Sequence, residues 1–179
     1  RKVKNLFTNC IETYLLLKKM GDNINPVVSI TVTHENCDNI KKIFNYLHNE
    51  CGIDSMKCTI VRDEGVYKTP YEKKKKIYDA YSWLSNEIKD KIKTNKIINY
   101  NTNSIQGRVH QKKDVISWEM IKKMYMNPKY ISPCHAGSLF GIITADGKIY
   151  PCEILEDKLL GNLREHNMNF MEIWNGKKT

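Results

Sequence analysis

The chain has 179 residues, 41% of them hydrophobic, with 29 Lys+Arg against 20 Asp+Glu and a formal net charge of +9. That length suits one domain or slightly more, and that apolar fraction argues against wholesale disorder. No apolar run approaches the ~20 residues of a membrane span, and 6 scattered cysteines do not make a small secreted disulfide scaffold.

The first residue is Arg, and a helical pattern is already under way there, so the chain reads as a piece of something longer. Phe7, Cys10, Ile11, Tyr14, Leu15 and Leu17 recur at helical spacing, and Gly21 ends the run. Cys10 lies on the apolar side of that helix and reads as a small core residue. A strand follows from Pro26 to His34, with Val28, Ile30 and Val32 on one face and Ser29, Thr31 and Thr33 on the other. Asn36 offers a helix N-cap, and Ile40, Ile43, Phe44, Leu47 and Cys51 draw a helical stripe that stops at Gly52. Met56 to Arg62 reads as a second strand, closing at Asp63-Glu64-Gly65. Strand, helix and strand joined by short loops signal a βαβ unit and a parallel sheet. Two strands are too few for a complete barrel of ~250 residues, so this half resembles the tail end of a larger α/β domain.

Tyr71 to Lys93 makes a long amphipathic helix with one stripe at residues 77, 81, 84, 88 and 92. It contains the densest basic run, Lys73 to Lys76, and four consecutive lysines cannot all face that stripe, so most belong to a solvated face. Arg, whose planar fork suits phosphates and base edges, stands only at positions 1, 62, 108 and 164. The Lys residues travel instead with abundant Asn, Ile and Tyr, a composition typical of AT-rich coding sequence. Nucleic-acid binding is therefore a minor reading. Residues 94–112 read as a polar linker or surface loop, and a shorter helix runs from about Val115 to Tyr125, stopped by Asn127-Pro128.

The last third is compact, Gly-rich and turn-rich. Asp146-Gly147 between two short apolar runs predicts a hairpin with a two-residue turn, which sets Cys152 opposite Gly141. Cys134 lies seven residues before Gly141, about 23 Å away if the chain stayed extended. For the two thiols to share a site, residues 134–140 must fold back, which Gly137 and Gly141 permit. From the residues alone, the pair reads as two unrelated buried thiols, a disulfide, a zinc site completed by His135 and His166, or part of an iron–sulfur site that needs about four Cys ligands. Cys37, Cys51 and Cys58 read as structural.

Several sequence words together decide among these. Cys-x-Ala-Gly at 134–137, Ile-Thr-Ala-Asp-Gly-Lys-Ile-Tyr-Pro-Cys-Glu at 143–153 and Gly-Asn-Leu-Arg-Glu at 161–165 are joined by Phe-Met-Glu-Ile-Trp at 170–174. Their combination, over residues 130 to 176, resembles the opening of the SPASM or twitch extension of radical SAM enzymes. Upstream, residues 26–62 resemble the fifth and sixth strands of that family's partial (β/α) TIM-type barrel. The resemblance implies an α/β fold: the last strand–helix units of the barrel (residues 1–93), a linker and helix (94–129), and a truncated α+β SPASM/twitch-like domain with a β-hairpin (130–179).

The implied activity is reductive cleavage of S-adenosylmethionine by a radical SAM [4Fe-4S] cluster, giving a 5′-deoxyadenosyl radical that modifies a peptide or small-molecule substrate. By position, Cys134 and Cys152 would be two thiolate ligands of an auxiliary [4Fe-4S] cluster. Thr33 and Arg62, at the C-terminal ends of the two strands, would be the cofactor-side contacts, in keeping with where barrel sites form. The resemblance also implies an electron donor such as flavodoxin or ferredoxin, and a cytoplasmic oxidoreductase with no membrane span. The Cys-x3-Cys-x2-Cys loop of the radical-generating cluster is not in this sequence, so the fragment alone is expected to be inactive. Gly161 reads as a turn residue, Asn162 as a cap and Trp174 as a packing anchor. The rival reading from another class is a zinc-stabilised interaction module without catalytic activity.

Overall fold

The computed structural model describes residues 5–21, 24–61, 69–129 and 133–176. The chain divides into two compact units, the first ending at Lys129 and the second beginning at Tyr130.

A parallel pair of strands organises the first unit. β1 (Val28–Val32) pairs with β2 (Met56–Ile60), from Val28 opposite Met56 to Val32 opposite Ile60. Side chains alternate across a strand, so the pair has two unlike faces. Ile30, Val32, Met56 and Cys58 are buried, whereas Ser29 and Thr31 are exposed. The expected continuation of β2 through Arg62 to Gly65 lies outside the described residues.

The crossover between the strands is helical but mixed in pitch. A 3₁₀ turn (Cys37–Asn39) leads into α2 (Ile40–Asn45) and then a π turn (Tyr46–Glu50). Ile40, Phe44 and Leu47 form its buried stripe, and Gly52 takes the left-handed conformation, φ +68°, just past the helix end. Asn36 does not cap this helix forward. Its side chain works backward instead, donating to the Thr31 carbonyl at 2.8 Å and accepting the Thr33 N–H at 2.9 Å, which closes the end of the strand.

α3 (Lys74–Lys93), entered through a 3₁₀ turn (Tyr71–Lys73), buries the expected stripe: Ile77, Tyr81, Leu84, Ile88 and Ile92. Each such side chain contributes about 1.5–3 kcal/mol on burial, which outweighs the helix's otherwise polar composition. The lysine run spreads around the helix. Lys73 and Lys76 pair with Asp38, Lys75 pairs with Asp79, and Lys74 lies 5.5 Å from the centre of the Tyr125 ring. α1 (Leu6–Lys19) ends before Gly21 as expected, but it docks narrowly, with Tyr14 buried and Ile11 partly so. The Tyr14 hydroxyl donates to Asp54 at 2.8 Å. Cys10 is exposed, a correction to its reading as a core residue, because the contact surface passes through Tyr14 and leaves Cys10 at its margin.

The stretch read as a linker is largely structural. Ile97 and Asn99 are buried, and α4 (Ile105–Met126) begins ten residues before the expected Val115. Asn99 exchanges two hydrogen bonds with one backbone residue, accepting the Met56 N–H at 2.8 Å and donating to the Met56 carbonyl at 2.7 Å. The Ile98 N–H donates to the Asp54 carbonyl at 2.7 Å, and Asn25 donates to the Asn99 carbonyl at 2.6 Å. Ser104 caps α4 by accepting the Gly107 N–H at 3.0 Å. Gly107 is required by close approach, since a Cβ there would lie 1.9 Å from the Asn101 carbonyl oxygen. The buried face of α4 includes Asp114, Trp118 and Lys122, so hydropathy alone conceals it.

The second unit is a three-stranded antiparallel sheet with short helices. β3 (Ile142–Ile143), β4 (Lys148–Tyr150) and β5 (Gly161–Asn162) lie in that order, and Ile149, Leu163 and Ile173 form the core. A 3₁₀ turn (Leu163–His166) and α5 (Phe170–Trp174) complete it. The hairpin differs from expectation by one residue. Ile142 faces Tyr150 and Ile143 faces Ile149, so the loop between Thr144 and Lys148 holds three residues, with Gly147 left-handed at φ +88°. That geometry joins a turn to a left-handed residue and suits Gly in third place. Continuing this register aligns Cys152 with Phe140 rather than Gly141. Gly161 lies within β5 and not in a turn, and a Cβ there would meet Ile173 at 2.8 Å. Asn162 does cap, accepting the Arg164 N–H at 3.0 Å, and Trp174 stacks on Phe170 with ring centres 5.2 Å apart.

Asn99→Ala strips Met56 of both side-chain partners, and each buried group left unsatisfied costs about 1–3 kcal/mol. Urea unfolding should therefore show a clearly lowered midpoint for Asn99→Ala and an unchanged one for the exposed neighbour Lys96→Ala. Equal midpoints would mean that residues 94–104 behave as a passive linker.

Candidate metal centre

Cys134 and Cys152 both lie beside tight turns in the second unit. After Cys134, the N–H groups of Ser138 and Leu139 converge on the His135 carbonyl at 3.1 and 3.0 Å. The Ser138 hydroxyl donates to the same oxygen at 3.0 Å. The Gly137 N–H donates to the Phe140 carbonyl at 2.9 Å, and Gly137 is left-handed at φ +78°. On the other side, the Leu155 N–H donates to the Cys152 carbonyl at 3.2 Å. The two turns abut: a Cβ on Gly137 would lie 3.1 Å from the Pro151 Cβ. Residues 134–140 thus fold back on the chain beside Cys152, the condition under which the thiols can share a site. Three residues span at most ~10 Å, which bounds how far Cys134 strays from that contact.

Cys134 is exposed and Cys152 half-buried, and none of the six cysteines is in a disulfide. Two free thiols on abutting turns suit the thiolate ligation of an iron–sulfur cluster, and they amount to half of its usual ligand set. Among the described residues, no group of three or more His, Cys, Asp or Glu side chains is arranged to hold a metal ion. A structural zinc site would require a closed set of four. His166, a candidate fourth ligand for zinc, bonds Glu172 through Nδ1 at 2.9 Å, which leaves its Nε2 open, so a closed zinc set is opposed by the ligand count and not by this contact. The remaining cysteines offer nothing better. Cys37 and Cys58 are buried, and burial pushes the Cys58 thiol up to about 12, which keeps it neutral.

The other expected site residues belong to the first unit. Thr33 follows β1 directly, and its side-chain oxygen accepts the Glu35 N–H at 3.2 Å, so it helps turn the chain into the crossover. Arg62 lies outside the described residues. A polar cluster that the sequence did not reveal joins the strands to α4. Lys57 hydrogen-bonds Tyr100 and pairs with Asp114 at 3.1 Å, while the Tyr100 hydroxyl donates to Asp114 at 2.8 Å. Its members satisfy one another, which is the behaviour of a structural cluster. The one sequence signal for it was the strand alternation, which sets Lys57 beside Ser29 on the polar face.

Residues 134–179 match the family model of the SPASM iron–sulfur cluster-binding domain, a domain typical of radical SAM enzymes. No curated protein and no solved structure matches the chain. No helix among the described residues is long and apolar enough to cross a membrane.

The hairpin that carries Cys152 has its own acid sensitivity. Lys148, 2.7 Å away, and the Thr144 hydroxyl at 2.5 Å hold the Asp146 carboxyl down to about 2. A carboxyl lowered in the folded state adds stability above its ordinary range, and that stability is lost as pH falls toward the folded value. The protection factors of the Thr144 and Gly147 hairpin amides, their exchange relative to the intrinsic rate at each pH, should therefore fall between pH 4 and pH 2. Asp146→Asn should remove most of that pH dependence, as hydrogen exchange over the same window will show.

Proposed function

We propose that the chain is part of a radical SAM enzyme, with the parallel strand pair among the closing strands of its barrel and an auxiliary [4Fe-4S] cluster held by the second unit. The observation that carries this reading is the pair Cys134 and Cys152, on abutting turns inside a span that matches an iron–sulfur cluster-binding domain. The exposed polar side of β1 supports it. Parallel strands are normally covered on both faces, yet Ser29 and Thr31 are exposed. A polar lumen completed by further strands would account for that face.

When bound, S-adenosylmethionine and its [4Fe-4S] cluster supply a 5′-deoxyadenosyl radical for hydrogen abstraction, and the auxiliary cluster assists electron transfer or substrate binding. The residues of this chain hold and orient. Cys134 and Cys152 would each present a thiolate to the auxiliary cluster, their separation limited by the approach of Gly137 to Pro151. Ser29 and Thr31 would line the lumen. Thr33 and Arg62 would contact the cofactor at the strand ends, with the Thr33 side chain anchored by the Glu35 amide. The substrate would be a peptide or a small molecule, and reducing power would come from a flavodoxin or ferredoxin.

Anaerobic iron and sulfide reconstitution of the full-length protein tests this directly. The wild type should take up iron and turn brown with broad visible absorbance, and Cys134→Ala and Cys152→Ala should each lower bound iron. Unchanged iron in both variants, or a colourless protein holding stoichiometric zinc, would overturn the reading.

A further inference from the structure

Each of the two Cys-bearing turns carries two exposed apolar side chains. Leu139 is 76% exposed and Phe140 51% on the turn after Cys134, while Ile154 is 45% exposed and Leu155 36% on the turn after Cys152. Single exposed apolar residues need no explanation, but here four stand on two abutting turns, each within six residues of a candidate cluster ligand. The backbone does not force this arrangement. The turns are closed by main-chain bonds and by the Ser138 hydroxyl, so positions 139, 140, 154 and 155 have no structural need to be apolar.

We propose that Leu139, Phe140, Ile154 and Leu155 form a dry collar around the auxiliary cluster and set its reduction potential and its access to solvent. This rests on the reading of Cys134 and Cys152 as cluster ligands. Reduction adds a negative charge to the cluster, and a low-dielectric wall opposes that charge, because water and polar groups would stabilise it. An apolar collar therefore holds the potential low and slows oxidative loss of iron. Polar side chains at the same positions would admit water, raise the potential and expose the iron to oxygen. Leu139 and Phe140 are the sharpest probes, since side chains this exposed add little to the unit's own packing.

The experiment compares the reconstituted full-length wild type with Leu139→Gln, Phe140→Gln and the conservative Phe140→Leu. Ile143→Gln serves as a control for loss of an exposed apolar side chain at the turn end of the hairpin, where Ile143 faces Ile149. Iron content, the midpoint potential from a dye-mediated titration followed by electron paramagnetic resonance, and the rate of bleaching in air are the readouts. The two polar variants should keep wild-type iron, shift the midpoint positively and bleach several-fold faster. Phe140→Leu and Ile143→Gln should match the wild type. Wild-type midpoint and bleaching rate in both polar variants would overturn the collar while leaving the cluster in place. An equal shift in Ile143→Gln would overturn it as well, by making the effect general to the unit. Unchanged iron in the Cys134→Ala and Cys152→Ala proteins would remove the cluster itself from this site.

Discussion

The first unit depends on a one-sided burial. Two parallel strands alone are too small to be stable, and here the apolar face of the pair carries the hydrophobic packing, while the polar face is met at Lys57 by Tyr100 and Asp114. Ile30, Val32, Met56 and Cys58 meet Phe44 and Leu47 of the crossover together with Ile77, Tyr81, Leu84 and Ile88 of α3. The other elements adjust to that contact. The crossover changes pitch twice to keep its stripe on the sheet, and α1 joins through little more than Tyr14.

The second unit solves a different problem, because among the described residues its hydrophobic core has three buried members, Ile149, Leu163 and Ile173. So small a core leaves close backbone approach to do what bulk cannot. A Cβ on Gly141 would lie 2.7 Å from the Trp174 ring, and one on Gly161 would lie 2.8 Å from Ile173. Metal ligation is the usual supplement for a domain with so little apolar interior.

What was legible in the sequence follows from what burial can write into it. The α3 stripe and the β1 alternation are periodic patterns of apolar residues, and both elements stand where those patterns set them. The expected Phe170–Trp174 helix is likewise present, with Asn169 capping it. The errors fall where side-chain hydrogen bonding or close approach replaces hydropathy. Asn99 is polar yet buried, because its amide matches the backbone groups of Met56. The first turns of α4 were missed because their buried positions are Gly107 and Asp114, which carry no apolar stripe. The hairpin slipped by one residue because Gly147 fits either a two-residue turn or the third place of a longer one. At the candidate site, the sequence permitted a fold-back between the two cysteines without requiring it, and the contact between Gly137 and Pro151 was not legible, being a matter of tertiary approach.

The Asn99 hydrogen bonds also give the sheet a direction. In a parallel strand, successive residues point their N–H and C=O groups alternately to the two sides. Ser55 directs its carbonyl toward β1, so Met56 directs its groups toward the opposite edge, where Asn99 meets them. The amide side chain stands in for the strand that would otherwise add there, as covered edges in natural sheets do. The β2 margin is thereby terminated at its start, and β1 is the margin from which the sheet can be extended.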